Sequence, residues 1–347
     1  MKISFLLFNT LLCMMLFSCK DKKEVVPLEE VKFTLELERF PSLKKIVDEL
    51  ESVNVVESKY VGDGGSISEQ WKRYEQLQEI ANIDQLTDLI NYPNAAVSCY
   101  AFKALVAKKS DRVFPILVAH LHDTIKVARV DGCIGMMEYV GDFFMGELLY
   151  GYEDQGYKLN EVEKEKLDSI FLYDSSIVLD TKSYVFDNLP KKELYYEKIR
   201  ELVEDRNSEA LVALAKYKKQ EDRALIASFL KEGEDQYAAL KAILEFPDEY
   251  FYEDLVNLFD YEWKMNQRNY GKWRLYYQAL ANYPKEKTVE LFNRTFTLED
   301  VYKREAFYEY LFLAISKYPN TIYNPIKAKM KLSDSIIRAV QFELEGY

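Results

Sequence analysis

Residues 237–247 read YAALKAILEFP, and the fold class of the chain follows from this stretch and its repeats. Small and large apolar side chains recur at helical spacing. A Phe-Pro pair ends the pattern, because proline disfavours helix in the residue before it. Alanines on one face of the helix allow a neighbouring helix to approach closely. The stretch therefore predicts a helix that packs side by side with others.

The same pattern recurs along the chain. Four further segments alternate small and large apolar residues, and they are centred on Ala104, Ala213, Ala279 and Ala314. A second amphipathic segment follows each of the five, at 113–122, 223–230, 250–259, 288–296 and 321–330. From Ala213 onwards the centres are 29, 37 and 35 residues apart, and such a period is typical of an α-solenoid. We expect an all-α fold, an α-solenoid of about six or seven helix pairs.

Residues 93–105, PNAAVSCYAFKAL, resemble the first helix of a HEAT repeat. That family's pattern places proline or aspartate first, then Val-Arg, and then alanines at helical spacing. Ser98 stands where the family usually has arginine, so this unit lacks the usual polar contact between repeats. Tetratricopeptide repeats have a similar period, but their Trp-x2-Leu-Gly pattern is absent. The HEAT resemblance covers roughly residues 68–122 and 207–330.

Composition and the absence of known motifs argue against several fold types and functions. The chain has 347 residues, 48% hydrophobic and 30% charged, with only 12 glycines and 9 prolines, which argues against a sandwich or barrel with many tight turns. Its net charge of -12 should repel nucleic acid. G-x-S-x-G, P-loop and G-x-G-x-x-G motifs are all absent. We therefore expect no enzyme activity, no cofactor and no nucleic-acid partner.

The N-terminus has the pattern of a secretory signal. An apolar run from Ile3 to Phe17 is followed by Ser18, Cys19 and a charged tract. This end resembles the lipobox of bacterial lipoproteins, although Phe17 departs from the small or branched residue usual at that position. The resemblance implies cleavage before Cys19 and lipid attachment to its thiol, which would give the chain a membrane partner.

We divide the chain accordingly into a signal peptide at 1–18, a lipidated tether at 19–40 and one HEAT-like α-solenoid domain at 41–347. The domain has an irregular middle at 124–206, where local glycines interrupt a glycine-poor chain. The resemblance implies a HEAT-repeat-like lipoprotein of the bacterial cell envelope. Its expected location is the outer membrane of a Gram-negative bacterium, with the side of the membrane left open.

Histidine and cysteine offer few sites. His120 and His122 are two residues apart, so on a helix they point about 200° apart and cannot share a metal. We expect no metal site. Cys99 and Cys133 are candidates for a disulfide between neighbouring first helices, because an envelope compartment is oxidising. The alternative is that both are buried as small hydrophobic residues.

Aromatic residues concentrate in one segment. Twelve of the 38 residues from 246 to 283 are aromatic. Trp263 and Tyr270, with Tyr261, lie in or beside the polar run 262–269, which we predict to be a connection that presents them to a partner. Acidic residues nearby favour a basic or hydroxyl-rich partner, and they are Asp248, Glu249, Glu253, Asp254 and Asp260. Packing between helix layers is the alternative role for the rings.

These observations favour a lipid-anchored, non-enzymatic interaction scaffold of the cell envelope that binds a protein or peptide partner. The argument is architectural, and a fold by itself is weak evidence of function. A glycan-binding envelope lipoprotein is the alternative. An envelope hydrolase that uses a pair of carboxylates is a third candidate, because the chain has 58 acidic residues.

Overall fold

Helices dominate the computed structural model, which describes residues 32–149, 156–231, 235–265 and 270–345. Of these residues 68% are helical, and they include eighteen α-helices and one small four-stranded sheet. The prediction of a largely helical chain is confirmed. The predicted signal peptide, Cys19 and most of the predicted tether lie outside the described residues.

The elements are given in chain order. In the first part of the chain they are α1 Pro41–Val53, β1 Val55–Val61, β2 Ser66–Ile67, α2 Glu69–Ile80, α3 Ile83–Leu89, α4 Ala95–Ala107, α5 Val113–Ala119, β3 Lys126–Gly132, β4 Ile134–Tyr139, α6 Val140–Leu149, α7 Glu161–Tyr173, α8 Lys182–Asn188 and α9 Glu193–Glu204. In the second part they are α10 Leu211–Ala215, α11 Arg223–Ser228, α12 Gln236–Glu245, α13 Tyr252–Met265, α14 Tyr270–Ala281, α15 Glu286–Asn293, α16 Val301–Lys317, α17 Asn324–Lys329 and α18 Asp334–Leu344.

Alternate helices pack together in the second part of the chain. Helices α10, α12, α14, α16 and α18 each contact the next member of the series, and α13, α15 and α17 form a parallel series beside them. The repeated alanines of the first series are all buried, and they are Ala213, Ala242, Ala279 and Ala314. Because their side chains are small, successive helices of that series can pack closely against one another. Large aromatic side chains such as Phe259 fill the space between the series.

The sheet was not expected. Its strand order is β2-β1-β3-β4, with β1 and β3 parallel and the other pairs antiparallel. The irregular middle therefore opens with a β-hairpin, formed by β3 and β4. Asp131 pairs with Ile134, so Gly132 and Cys133 form a two-residue turn. Gly132 has φ +59°, a conformation that glycine adopts without strain.

Helix α4 lies at the centre of the first part of the chain. It contacts α2, α3 and α6 as well as strands β1 and β3. Its residues from Ala96 to Val106 are all buried, including the charged Lys103. Residues Phe33–Tyr347 form one compact unit. Within the described ranges, no helix is both long enough and apolar enough to span a bilayer.

Candidate functional site

Trp263 is part of a helix and not of a polar connection. Helix α13 continues through Met265, so the predicted start of the connection at residue 262 is wrong. The Trp263 ring is half-buried. It stacks on Phe259 with ring centroids 5.7 Å apart and meets Trp273 edge-on at 5.6 Å. The structure therefore places Trp263 in the packing between helices, which was the alternative role for this ring.

Tyr261 and Tyr270 are more exposed, at 56% and 43% of their surface. Tyr270 opens helix α14 and lies edge-on to Phe307, with centroids 6.4 Å apart. Tyr261 faces a separate groove beside α13. The three predicted binding residues are thus divided among a packed cluster, the start of a helix and a groove. Of the three, Tyr261 lines this groove.

The groove beside α13 has a volume of about 590 Å³. Asp254, Leu258 and Tyr261 form one of its walls, because positions four and three residues apart share a helix face. The other described lining residues come from α12, α14, the rest of α13 and the segment before α12, and they are Leu230, Lys231, Gln236, Asn257, Glu262 and Lys272. We call this cavity the Glu262 groove.

Buried polar groups form the floor of the Glu262 groove. Lys272 Nζ donates to Gln236 Oε1 at 3.0 Å and lies 3.7 Å from Glu262 Oε1. Tyr276 also donates to Gln236 Oε1, at 3.2 Å. Burial, and after it the negative charge of Glu262, raises the pKa of Tyr276, so its hydroxyl stays protonated as a donor. Gln236 is held in place by its own donation to the Leu230 carbonyl at 3.1 Å.

Glu262 has one unsatisfied oxygen. The residue is only 4% exposed, and within the described ranges its Oε2 has no hydrogen-bond partner. An acceptor buried without a donor destabilises the fold by about 1–3 kcal/mol, and a charged one by more. A ligand that brings a hydrogen-bond donor into the groove would recover this energy. The arrangement is therefore suited to binding.

Glu262 was missed by sequence reasoning, although a signal existed. Leu255, Phe259 and Glu262 share the buried face of α13. A carboxylate at a core-facing position of an amphipathic helix is unusual. The polar run that follows hid this pattern, because it suggested that the helix had already ended.

The expected attraction for a basic partner is weaker than predicted. Three of the five acidic residues noted in the sequence form ion pairs within the chain: Asp248 with Arg223, Glu249 with Lys285 and Asp260 with Arg294. Their charges are largely compensated. In the groove itself, Lys272 and Lys231 balance Glu262 and Asp254. The groove therefore favours a neutral hydrogen-bond donor over a strongly basic group.

The two histidines have separate partners. His120 Nδ1 lies 3.0 Å from Asp123 Oδ2, and His122 Nε2 lies 3.1 Å from Asp174 Oδ2. Across the described residues, no group of three or more histidine, cysteine or acidic side chains is arranged to hold a metal ion.

The two cysteines are not bonded to each other. Both are free thiols in the structure: Cys99 is buried in α4, and Cys133 is exposed at the turn of the β3–β4 hairpin. The predicted disulfide assumed that Cys133 lies on a helix beside α4, and that assumption is wrong. Burial raises the pKa of the Cys99 thiol well above its usual range, which makes it unreactive.

Comparisons with known proteins add little. No protein-family model matches the sequence, and no curated protein is similar to it at a significant level. The X-ray structure of YibA from E. coli, a structural genomics target, matches 81% of this chain and 98% of its own, with 14% sequence identity and a TM-score of 0.43. A similarity this distant carries no argument about fold or function.

Proposed function

We propose that the chain is a non-enzymatic interaction scaffold of the bacterial cell envelope, anchored by a lipid on Cys19, that binds a peptide segment of a protein partner in the Glu262 groove. The observation that carries the proposal is the unsatisfied Oε2 of Glu262, in a groove that the exposed Tyr261 also lines. The lipid anchor and the envelope location rest on the lipobox-like sequence alone.

A helical repeat supports this function. We propose that the helix series of the second part of the chain are HEAT-like pairs and that the whole domain contains about six or seven of them. Support comes from the side-by-side packing of alternate helices and from the burial of the alanine at the centre of each repeat. In such an array each unit contacts its neighbours, and successive units form an extended binding surface.

A peptide satisfies the groove well. Its backbone N–H groups are neutral donors, which match a carboxylate whose charge is already balanced by Lys272. The Tyr261 ring offers a rigid amphipathic surface at the rim, and tyrosine is common among residues that dominate binding energy. The Glu262 carboxylate has to rotate slightly to meet the ligand, because its Oε2 is almost fully covered.

The glycan-binding alternative is supported by the same oxygen. Sugar hydroxyls are also neutral donors, and an aromatic ring beside a carboxylate suits a sugar face. A glycan array probed with the purified protein separates the two candidates. Glycan binding that disappears in Glu262→Gln would replace the peptide proposal.

The peptide proposal is tested by photo-crosslinking in the native envelope. A photoreactive amino acid at position 261 should capture a defined protein partner, and the captured segment is identified by mass spectrometry. The matched control is the same amino acid at position 302, because Tyr302 is 87% exposed and is not among the residues that line the groove.

The variant Glu262→Gln adds a second measurement. It has nearly the same shape but replaces one carboxylate oxygen with an amide donor, so capture from position 261 should fall. The change also removes the charge that balances Lys272, which lies 3.7 Å from Glu262 Oε1, so circular dichroism and thermal unfolding of the variant are measured first. Equal capture from positions 261 and 302, or capture unaffected by Glu262→Gln, would contradict the proposal.

A further inference from the structure

A second cavity lies between the sheet and helices α2, α4 and α6. Its volume is about 440 Å³, within the range of small-molecule sites. Trp71 and Phe143 supply aromatic surface, while Lys103 and Glu147 supply buried charge. We call it the sheet cavity. It is formed by other elements than the Glu262 groove and is independent of the proposed function.

A β-bulge shapes this cavity. Strand β1 pairs with β3 in register from Val55 to Glu57, and pairing resumes only at Val61 with Gly132. Between these points β1 carries two residues more than β3. The Ser58 hydroxyl accepts a hydrogen bond from the Gly132 N–H at 3.0 Å, which holds the bulge in place. Irregularities in strand pairing are over-represented beside active sites, where they redirect side chains.

The sheet cavity contains a buried ion pair. Lys103 Nζ donates to Glu147 Oε2 at 2.8 Å, and the two residues are 6% and 5% exposed. The ammonium also lies 5.4 Å from the centre of the Trp71 ring and 5.8 Å from that of Tyr74. Removing two charges from water offsets most of their attraction, so a buried pair is weak support for stability. Its position in a cavity indicates a role in binding.

The other charged side chains in and around the sheet cavity include both basic and acidic residues. Arg129 lies between Asp131 at 3.3 Å and Glu138 at 3.4 Å, and its guanidinium is 5.8 Å from the Phe143 ring. The charged residues that line the sheet cavity are three basic and three acidic side chains, namely Lys59, Lys103, Arg129, Glu57, Asp131 and Glu147. A balanced set does not favour a simple anion or a simple cation. It favours a ligand that carries both charges close together.

We propose that the sheet cavity binds a small zwitterion of the α-amino acid type. Its carboxylate faces the Lys103 ammonium, and its ammonium group faces the Glu147 carboxylate, so that each charge of the ion pair gains a second partner. The apolar side chain of the ligand packs on the Trp71 ring. This arrangement keeps the buried charges compensated while it replaces water in the cavity.

The test uses the wild-type protein with free L-leucine and L-phenylalanine as probes, measured by calorimetry and thermal shift. Each probe is compared with its N-acetyl derivative, which lacks the ammonium, and with its amide, which lacks the carboxylate. Removing either charge should weaken binding about ten- to hundredfold, since a hydrogen bond to a charged group contributes about 1.5–3 kcal/mol. No binding of either amino acid at millimolar concentration would overturn the proposal, as would equal binding of the derivatives.

Variants locate the site. The double change Lys103→Met and Glu147→Leu removes both charges together, so it should fold but lose amino-acid binding. The matched control is Lys72→Met with Glu69→Leu, which removes an exposed ion pair of α2 and should leave binding unchanged. If the first double variant is folded and binds the amino acids as the wild type does, the proposed site is wrong. If the first double variant does not fold, the comparison of each amino acid with its N-acetyl and amide derivatives on the wild-type protein still tests the proposal.

Discussion

Lys103→Met tests whether the sheet cavity really holds a buried ion pair. The Lys103 and Glu147 side chains are 7% and 3% exposed, and their charged atoms are 2.8 Å apart. Methionine keeps most of the volume of the lysine stem but removes the charge. Glu147 would then be left as a buried carboxylate without its partner.

The expected loss is large. Removing one member of a buried pair typically destabilises by about 3–5 kcal/mol, because the other charge is left uncompensated. Glu147→Leu alone should destabilise by a similar amount. With both changes together neither charge of the pair remains, and the unfolding free energy should return to within about 2 kcal/mol of wild type. The coupling energy between the two sites should therefore exceed about 2 kcal/mol.

Urea denaturation of the four proteins measures these differences, provided that the m-value stays constant. Lys72→Met, in the exposed pair with Glu69, is the matched control and should change stability little. If Lys103→Met destabilises by less than about 1 kcal/mol, Glu147 is hydrated after the change. The description of the cavity as enclosing a buried pair would then be refuted.

Three further predictions concern other residues. Trp263→Ala should destabilise the fold by about 2–4 kcal/mol, because the Trp263 ring is packed between helices. Tyr270→Ala should change the unfolding free energy by less than about 1 kcal/mol, because Tyr270 is more exposed. Thermal unfolding of both variants measures the difference, and equal effects would contradict the assignment of Trp263 to packing. Alkylation of the folded protein should label exposed Cys133 at once and buried Cys99 only after unfolding, as mass spectrometry would show, and simultaneous labelling would argue against the burial of α4. Cys19→Ser should abolish partition of the chain into detergent with the membrane, and unchanged partition would refute the lipid anchor.

The helices could be predicted because their signal is local. Alanines such as Ala242 and Ala279, with large apolar residues at helical spacing, indicate a buried helix within ten or so residues of sequence. The structure places these alanines in closely packed helices, as that reasoning requires. The ends of the helices were harder to predict from the sequence. The run after Trp263 is polar but contains good helix formers such as Lys264 and Met265, so α13 continues further than polarity suggested.

The sheet and both cavities depend on contacts between distant parts of the chain. Val55 pairs with Ala128 across more than seventy residues, and no local pattern marks such a parallel pairing. Lys103 and Glu147 are 44 positions apart. In the sequence each is one more charged residue, and charged residues usually face solvent. Helical periodicity is set by neighbouring residues, but only the packing of α4 against α6 brings these two charges together and removes them from water.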